Sequence, residues 1–473
     1  MDINKISKIH MIGIKGVGMS MLAQYLVLQG KKISGSDIPD TFMTDKVLKK
    51  LNIDIKEVFD SSNITSDLDL VIFSSAYSPD TNTELKTALD SKIKTISFAE
   101  ALSSIFNSKH GIAVIGSHGK TTTTAWLGYV MKKSFMDPSV FVGSEVPQFG
   151  GLSIYGKSDY MVAEIDEYQN KLKYFQPKMV LLNNIDYDHP DFFPTEDEYK
   201  QVFIEFIKKI PSKGVLVANY DDDLIKKFAA VNCQANIITY AINESADYVA
   251  YDIKKIGSRQ YFKVKLADND EAENLGELDL GAFSILLSGN HNISNALAVI
   301  ASSAEMGIEL KYIRKYLEEF SGTARRMQIL GKFHGATVID DYAHHPTEIK
   351  TTLAGAKELY PDNKLVLVFH PHTFTRTKAL LKDFSESFDE VDELIVLDIY
   401  GSAREVQGGV HSNDLIKATK EHFEKIEKKI KVSHIPELTG CEEYLRENLT
   451  RDDVLILMGA GDVFRIGENL VSQ

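Results

Sequence analysis

The chain has 473 residues, of which 44% are hydrophobic and 25% are charged. These globular proportions exclude a wholly disordered or fibrous chain, and at about 150 residues per domain the length predicts roughly three domains. The 53 Lys and Arg residues against 67 Asp and Glu residues give a net charge of −14. This acidic balance argues against nucleic acid or an anionic membrane surface as a bulk partner.

Cysteine usage and the N-terminal residues indicate the compartment. Cys233 and Cys441 lie far apart without metal-ligand spacing, which predicts neither a disulfide framework nor a structural zinc site. The first residues lack the basic and apolar regions of a secretory signal, and no apolar run reaches 18 residues. We therefore expect a cytoplasmic chain without membrane insertion.

Short apolar segments alternate with amphipathic ones, which is the pattern of α/β domains with parallel sheets. A first strand at 9–14 leads through a glycine-rich turn into a helix at 19–29. Further strands are predicted at 70–73, 112–115, 161–165, 179–182, 215–217, 337–339, 365–369, 394–397 and 454–458. Residues 251–266 instead alternate, and the acidic segment 268–277 predicts a loop between antiparallel strands. Helices beginning at His291 and Glu309 follow.

A phosphate-binding loop is predicted at residues 116–122, between a strand and the start of a helix. Backbone N–H groups at a helix N-terminus bind anions, and Lys120 would add a positive charge at the β- and γ-phosphates. The Thr121 hydroxyl would bind Mg²⁺. The spacing is GxxGKT, since Val114 stands where the GxxxxGK[ST] pattern has its first glycine.

Oxygen-bearing side chains follow two neighbouring predicted strands. Glu164, Asp166 and Glu167 close one strand, and residues 183–189 close the next. Parallel sheets place functional groups at the carboxyl ends of their strands, and Mg²⁺ prefers oxygen ligands. We therefore expect these clusters to lie beside the phosphate loop and to bind Mg²⁺.

Taken together and in order, these motifs resemble the Mur ligase family over about residues 8–470. The segments that carry the resemblance are 13–20, 34–37, 74–76, 116–124, 164–167, 184–189, 289–296, 323–326, 340–347, 370–377 and 458–461. The resemblance implies three α/β domains: a Rossmann-like N-terminal domain (1–107), a P-loop ATPase-like central domain (108–322) and a Rossmann-like C-terminal domain (323–473). The central sheet is expected to be mostly parallel with extra antiparallel strands.

The resemblance also implies a reaction, an ATP-dependent amide ligation in peptidoglycan precursor synthesis. ATP would phosphorylate the carboxylate of UDP-N-acetylmuramate, and the amine of L-alanine would then displace phosphate from the acyl phosphate. The implied cofactors are ATP and Mg²⁺, with two ions. The small-molecule substrates would be the partners of a monomer or homodimer that binds no nucleic acid.

Carried onto this sequence, the resemblance implies site residues for each ligand. The UDP-sugar site would comprise Gly13, Gly16, Gly18, Ser20, Asp37, Ser74, Ser75 and His118. ATP would be bound by Gly116, Ser117, His118, Gly119, Lys120, Thr121, Thr122, His291, Asn295, Arg326 and Asp341. The amino acid would be bound by Tyr342, His345, His372 and Arg376, and Mg²⁺ by Thr121, Glu164 and His189. The implied catalytic residues are Lys120, Glu164, His189 and His344.

The N-terminal glycines leave a second function open. Their spacing is GxxGxG, with Asp37 nineteen residues beyond Gly18. A dinucleotide site would place Asp37 on a ribose and make the chain a nicotinamide-dependent oxidoreductase. The permuted glycines and the later phosphate loop disfavour this, and a UDP diphosphate satisfies the same helix N-terminus. A non-catalytic P-loop protein is disfavoured because Lys120, Glu164 and His189 are all present.

Histidine pairs at 344–345 and 370–372 allow a zinc hypothesis, but neither segment carries a thiolate or carboxylate at ligand-like spacing. Within the family, Tyr168 after Glu167 stands where alanine-adding members more often have serine, and resembles the ligases that recycle murein peptides with a tripeptide. The segments 370–376 and 398–405 instead match the alanine-adding pattern.

Overall fold

The computed structural model of the chain describes residues 3–257, 259–267, 278–401 and 407–472. These residues form three α/β domains, each built on its own sheet, which confirms the predicted fold class. The acidic segment 268–277 and residues 402–405 of the 398–405 segment lie outside the described residues. In the described part of the chain, no helix is both long and apolar enough to cross a membrane.

The N-terminal domain is a five-stranded parallel sheet in the order β3-β2-β1-β4-β5. Its strands are β1 (Lys8–Ile12), β2 (Lys32–Ser36), β3 (Asp54–Lys56), β4 (Leu70–Phe73) and β5 (Lys94–Ser97). Its helices are α1 (Val17–Leu28), α2 (Asp45–Lys50), α3 (Thr83–Asp90) and α4 (Phe98–Phe106). The first strand ends two residues before the predicted limit because Gly13, at φ 80°, turns the chain into the glycine loop.

The central domain is a ten-stranded sheet in the order β15-β14-β13-β12-β11-β10-β6-β9-β7-β8. Its strands are β6 (His110–Ile115), β7 (Ser139–Val146), β8 (Gly151–Ile154), β9 (Tyr160–Glu164), β10 (Met179–Leu182), β11 (Val215–Asn219), β12 (Asn236–Ala241), β13 (Tyr248–Ile256), β14 (Arg259–Leu266) and β15 (Leu278–Ile285). The predicted antiparallel addition is confirmed, because β13, β14 and β15 pair antiparallel at one edge. At the other edge β8 pairs antiparallel with β7.

Helices cover both faces of this central sheet. They are α5 (Lys120–Lys133), α6 (Glu196–Ile207), α7 (Asp223–Asn232), α8 (Asn290–Glu305) and α9 (Leu310–Glu319). One buried cluster joins α5, α8 and α9 to the sheet, including the ring of Trp126 stacked on Phe320. A second cluster on the opposite face contains α6 and α7 and continues into α1 and α4 of the N-terminal domain. The first two domains therefore share a hydrophobic core.

The C-terminal domain is a six-stranded sheet in the order β16-β17-β21-β18-β19-β20, parallel except for the edge strand β16. Its strands are β16 (Gln328–Phe333), β17 (Ala336–Asp341), β18 (Lys364–Phe369), β19 (Glu393–Val396), β20 (Lys431–His434) and β21 (Asp453–Met458). Its helices are α10 (Pro346–Leu359), α11 (Phe374–Ala379), α12 (Leu381–Ser385), α13 (Ser412–Lys425), α14 (Leu438–Asn448) and α15 (Phe464–Val471). The end of β17 and the start of α10 face the central domain.

Candidate active site

The phosphate loop joins β6 to α5 at the middle of the central sheet. Because β6 lies between β9 and β10, residues that follow these three strands meet at one edge. Gly116 and Gly119 have positive φ angles of 130° and 78°. A Cβ on Gly119 would lie 2.5 Å from Asn295 Oδ1 of α8. The Ser117 N–H donates to the Asn184 carbonyl at 3.1 Å, so the loop is held closely against the end of β10.

Lys120 is the first residue of α5, and its ammonium folds back over the phosphate loop. Its Nζ donates to the Ser117 carbonyl at 3.0 Å and to Glu167 Oε2 at 3.2 Å. Burial opposes the charged form, but the carboxylates of Glu167, Glu164 and Asp166 raise the pKa of Lys120. The loop therefore carries a fixed cation next to a helix N-terminus, which is an anion-binding arrangement. Glu167 belongs to the carboxylate cluster that was predicted to bind Mg²⁺, and here it accepts a hydrogen bond from Lys120.

Oxygen donors gather next to this lysine. The Thr121 hydroxyl donates to Glu164 Oε1 at 2.8 Å, and the Gly143 N–H donates to Glu164 Oε2 at 2.7 Å. His189 Nε2 lies 3.7 Å from Glu167 Oε1. A hydroxyl and carboxylates are ligands of the kind that Mg²⁺ prefers, so this donor set fits the predicted ion. The structure brings Thr121 and Glu164 into contact, and Glu167 links His189 to the same cluster.

His118 lies between carboxylates of two domains. Its Nε2 is 2.9 Å from Asp186 Oδ2, and its Nδ1 is 3.3 Å from Glu348 Oε1 of α10. Burial lowers the pKa of His118, but the two carboxylates outweigh it and raise this pKa to about 9. Glu348 also lies 3.5 Å from Arg326 Nη1. Asp186 belongs to the cluster at 183–189 that was predicted to bind Mg²⁺, and here it pairs with His118 instead. Glu348 was not a predicted site residue, because its contact comes from a different domain.

A buried ion pair joins the central domain to α11. Arg376 Nε donates to Asp188 Oδ1 at 2.9 Å, and its Nη2 donates to Asp188 Oδ2 at 3.2 Å. Although burial favours the neutral acid, the Arg376 guanidinium holds the pKa of Asp188 well below its ordinary value. This bidentate pair fixes α11 against the segment that follows β10.

The predicted amino-acid residues lie around this pair. His344 Nδ1 is 3.0 Å from the Tyr342 carbonyl, and burial lowers the pKa of His344 to about 3, which keeps the imidazole neutral. The His372 ring centroid is 6.0 Å from that of His344, and His372 Nδ1 is 3.5 Å from Arg376 Nη1. The Arg326 guanidinium lies over the Tyr342 ring at 5.5 Å.

A cavity of about 910 Å³ lies between the central and C-terminal domains. Its walls include seven predicted nucleotide residues from both domains: His118, Gly119, Thr122, His291, Asn295, Arg326 and Asp341. Asn183 of the predicted cluster at 183–189 also lines it, and residues without a sequence signal complete it, among them Asp221, Leu287, Thr351 and Tyr360. Burial, followed by the charge of Arg326, lowers the pKa of His291 to about 4, so the His291 imidazole in the cavity wall is neutral. The volume is that of a small-molecule site.

The predicted UDP-sugar residues of the N-terminal domain do not line this cavity. Asp37 accepts hydrogen bonds from the Lys15 N–H at 2.7 Å and from the Tyr77 hydroxyl at 3.2 Å. Ser20 is buried and its hydroxyl donates to the Ile14 carbonyl at 2.8 Å. Ser20 therefore braces the glycine loop from beneath, and the accessible part of the loop is Gly16, Val17 and Gly18, whereas Gly13 is buried.

Comparisons with known proteins agree on one family. The Mur ligase catalytic domain model matches residues 8–110, the Mur ligase middle domain model residues 114–303, and the Mur ligase glutamate ligase domain model residues 325–461. A relative from Clostridium kluyveri is 39% identical over 100% of this chain and 99% of its own, and one from Desulfitobacterium hafniense is 37% identical over 98% and 99%. Both are named UDP-N-acetylmuramate–L-alanine ligase.

Solved structures give the same result. The UDP-N-acetylmuramate–alanine ligase of Thermotoga maritima superimposes with a TM-score of 0.79 at 26% identity, covering 98% of both chains. A murein peptide ligase from Psychrobacter arcticus superimposes with a TM-score of 0.74 at 25% identity, again covering 98% of both. With three matching domains in order and full-length relatives above 30% identity, the chain belongs to the Mur ligase family.

Proposed function

We propose that the chain joins L-alanine to the carboxylate of UDP-N-acetylmuramate, with ATP as the energy source, in peptidoglycan precursor synthesis. Full-length relatives with the corresponding name support the substrates. The structural observation that carries the proposal is a group of cations at and beside the cavity, where His118 and Arg326 line it and Lys120 directly follows the lining residue Gly119. His118, Lys120 and Arg326 are all held charged there by buried or half-buried carboxylates.

The first step needs this charge. A carboxylate is a poor electrophile, so it must be activated before an amine can attack it. In the first step a carboxylate oxygen attacks the γ-phosphorus of ATP, the bond from that phosphorus to the β-phosphate oxygen breaks, and ADP leaves. This step brings an anion to a polyanion. A cation at about 4 Å from an anion is worth on the order of 4 kcal/mol at an effective dielectric near 20, so several cations are required. Lys120, Arg326 and His118 supply them in a site where they need not reorganise.

In the second step the neutral amine attacks the acyl carbon, the bond from that carbon to the phosphate oxygen breaks, and inorganic phosphate leaves. The nitrogen gives up a proton to a base of the site, for which His189 and His344 are the candidates.

Arg376 and His372 lie on the C-terminal side of the site, outside the lining of the cavity. Two nitrogens of Arg376 bind Asp188, and its Nη1, 3.5 Å from His372 Nδ1, can meet the carboxylate of an amino acid. His344 is neutral and buried beside them, so it adds no positive charge that would repel an ammonium group. We assign this side of the site to L-alanine. The contacts between α10, α11 and the central domain exclude water from the acyl phosphate.

We propose two Mg²⁺ ions, held by Thr121, Glu164 and His189. When bound, Mg²⁺ neutralises phosphate charge and orients the phosphates for in-line transfer. Thr121 and Glu164 already share a hydrogen bond, and Glu167 lies between Lys120 and His189. In this arrangement one cluster of carboxylates both pairs with the Lys120 ammonium and supplies oxygen ligands to the ions.

The setting of the reaction is also a proposal. Both cysteines, Cys233 and Cys441, are free thiols, which suits a reducing compartment. We propose that the reaction takes place in the cytoplasm and that the chain acts as a monomer or homodimer.

A second candidate within the family has one observation in its favour. Tyr168 resembles the residue at this position in the peptide-recycling ligases, and its ring contacts that of His189 in a tilted arrangement, with centroids 4.6 Å apart. The murein peptide ligase of Psychrobacter arcticus shares the fold. Such an enzyme would attach a tripeptide to the same UDP-sugar.

One assay separates the candidates. ADP release is measured with Mg-ATP and UDP-N-acetylmuramate, adding L-alanine, glycine, L-serine or the tripeptide in separate reactions. We expect L-alanine to give the largest kcat/KM and the tripeptide to give none. Turnover with the tripeptide alone would overturn the proposal in favour of recycling.

A further inference from the structure

Three potential metal ligands from two domains converge beside the phosphate loop. His118 and Asp186 of the central domain meet His345 of the C-terminal domain, with one ligand atom of each lying within 4.8 Å of the others. His118 Nε2 is 2.9 Å and His345 Nδ1 is 3.5 Å from the same Asp186 oxygen. The sequence around His344 and His345 does not predict this three-residue cluster, because its carboxylate, Asp186, comes from a different domain.

The outer contacts orient both imidazoles. In metal sites, the ring nitrogen that does not bind the ion usually donates to a carboxylate or a backbone carbonyl. His118 Nδ1 lies 3.3 Å from Glu348 Oε1, and His345 Nε2 lies 3.3 Å from the Tyr187 carbonyl. Each remaining nitrogen faces Asp186, where the Thr347 hydroxyl also donates to Asp186 Oδ2 at 2.6 Å and the Thr347 N–H donates to His345 Nδ1 at 3.4 Å. An ionised carboxylate only accepts hydrogen bonds, so a proton lies between His118 Nε2 and Asp186, and a bound ion would replace that proton and the Thr347 contact to His345.

We propose that His118, Asp186 and His345 bind a divalent transition-metal ion of the Zn²⁺ class. Two imidazoles and one carboxylate form a three-residue zinc ligand set, with the fourth position open. Ligand atoms about 2.1 Å from a tetrahedral ion lie about 3.4 Å apart, close to the two separations from Asp186. His118 and Asp186 line the cavity, so water or a phosphate oxygen can take the open position.

This site differs in chemistry from the oxygen-rich cluster at Thr121 and Glu164. Mg²⁺ prefers oxygen ligands and keeps its waters, whereas imidazole nitrogens favour Zn²⁺ and Co²⁺. Excess Mg²⁺ should therefore fill the oxygen cluster without filling the histidine site. The two sites can be tested separately in one protein.

The ion has a consequence for turnover, which rests on the proposed function. His345 belongs to the C-terminal domain, so a bound ion holds that domain against the central domain. It also removes His118 from the charged groups that face the cavity. Zn²⁺ should therefore inhibit the ligase, and a chelator should restore its activity.

The binding test is an optical titration of the full-length, untagged, nucleotide-free chain with Co²⁺ in excess Mg²⁺. Four-coordinate Co²⁺ absorbs visible light far more strongly than six-coordinate Co²⁺. We expect one such ion per chain, displaced by Zn²⁺. Asp186→Asn and His345→Gln should each abolish the absorption, and Glu164→Gln in the oxygen cluster should retain it. Glu348→Gln should weaken binding about 10- to 100-fold.

Two results would overturn the site: no strong absorption from the native chain, or unchanged absorption in both Asp186→Asn and His345→Gln. The ADP-release assay tests inhibition separately. Co²⁺ binding without Zn²⁺ inhibition of an active enzyme would refute the inhibitory role. If no substrate supports ADP release, the proposed function fails, and the optical titration still decides whether the metal site exists.

Discussion

The molecule has two glycine loops, and each joins the central strand of a sheet to a helix. The N-terminal loop takes its partners from its own domain, with Asp37 accepting from the Lys15 N–H and Ser20 donating to the Ile14 carbonyl. The phosphate loop instead reaches another domain, since His118 lies 3.3 Å from Glu348 of α10. One loop is complete within a single domain, and the other is completed by domain contact.

This difference explains where the charge lies. The whole chain carries −14, yet three cations lie at and beside the cavity, each balanced by a carboxylate from a distant segment. These carboxylates stabilise the three cations of a polyanion-binding site while no polyanion is bound. Changes at the phosphate loop should therefore affect catalysis and domain contact together, whereas changes at the N-terminal loop should affect only the binding of one substrate.

The largest effect is expected at Lys120, the fixed cation of the phosphate loop. Lys120→Ala should lower kcat for ADP release by about 10³-fold or more, because it removes a preorganised charge from the transferring phosphoryl group. Lys132→Ala, an exposed change near the end of the same helix, is the matched control. A folded Lys120→Ala chain that keeps its activity would refute the assignment of this loop.

The ion pair between domains should come next. Breaking a buried pair costs about 3–5 kcal/mol of stability. Because this pair holds α11 against the central domain, the same loss in the assembled site corresponds to a fall in kcat/KM of roughly 10²- to 10⁴-fold for Arg376→Ala. Removing Asp188 as well should recover part of the loss, because no unpaired buried charge remains. Arg446→Ala, which breaks a pair within α14, should have little effect. Strictly additive losses in the Arg376–Asp188 cycle would contradict direct coupling.

The third effect is a pH dependence from His118. Its pKa in the folded chain, about 9, lies above the ordinary value of about 6.5. The charged form therefore stabilises the fold fully below about pH 6.5, and the contribution is lost as the pH rises through 9. The loss is on the order of 3 kcal/mol. Thermal unfolding of the native chain and of His118→Gln should converge between pH 6.5 and 10, whereas a constant difference would refute the charged pair.

The smallest effect should come from the N-terminal loop. Asp37→Asn keeps the shape of the side chain but weakens the hydrogen bond to the Lys15 N–H. The KM for UDP-N-acetylmuramate should rise about tenfold, which corresponds to about 1.4 kcal/mol, and kcat should change little. Steady-state kinetics with each substrate varied in turn provides the measurement. A fall in kcat at unchanged KM would break the distinction between the two loops.

Features formed within one segment of the chain could be predicted from the sequence, whereas features formed by contact between domains could not. Runs of buried apolar residues made the strands predictable, and β4 and β10 have the predicted bounds. Local motifs mark the residues predicted for the nucleotide, and seven of these residues line one cavity, although their binding roles stay predictions. Glu348 was not predictable, since its role comes from a contact between domains that no spacing in the sequence encodes. Asp186 was predicted only as part of the Mg²⁺ cluster at 183–189, and its contact with His118 was not foreseen. Short edge strands such as β3 and β20 were missed because they lack long apolar runs.

The proposed mechanism depends on an acyl-phosphate intermediate, and transfer of a carboxylate oxygen to inorganic phosphate tests for it most directly. UDP-N-acetylmuramate carrying ¹⁸O in its carboxylate is turned over with ATP and L-alanine, and the released inorganic phosphate is analysed by mass spectrometry. Attack by the carboxylate on ATP, followed by amine attack at carbon, must leave one carboxylate oxygen in the phosphate. We expect one ¹⁸O atom per phosphate when both carboxylate oxygens are labelled. Unlabelled phosphate alongside amide product would contradict the mechanism.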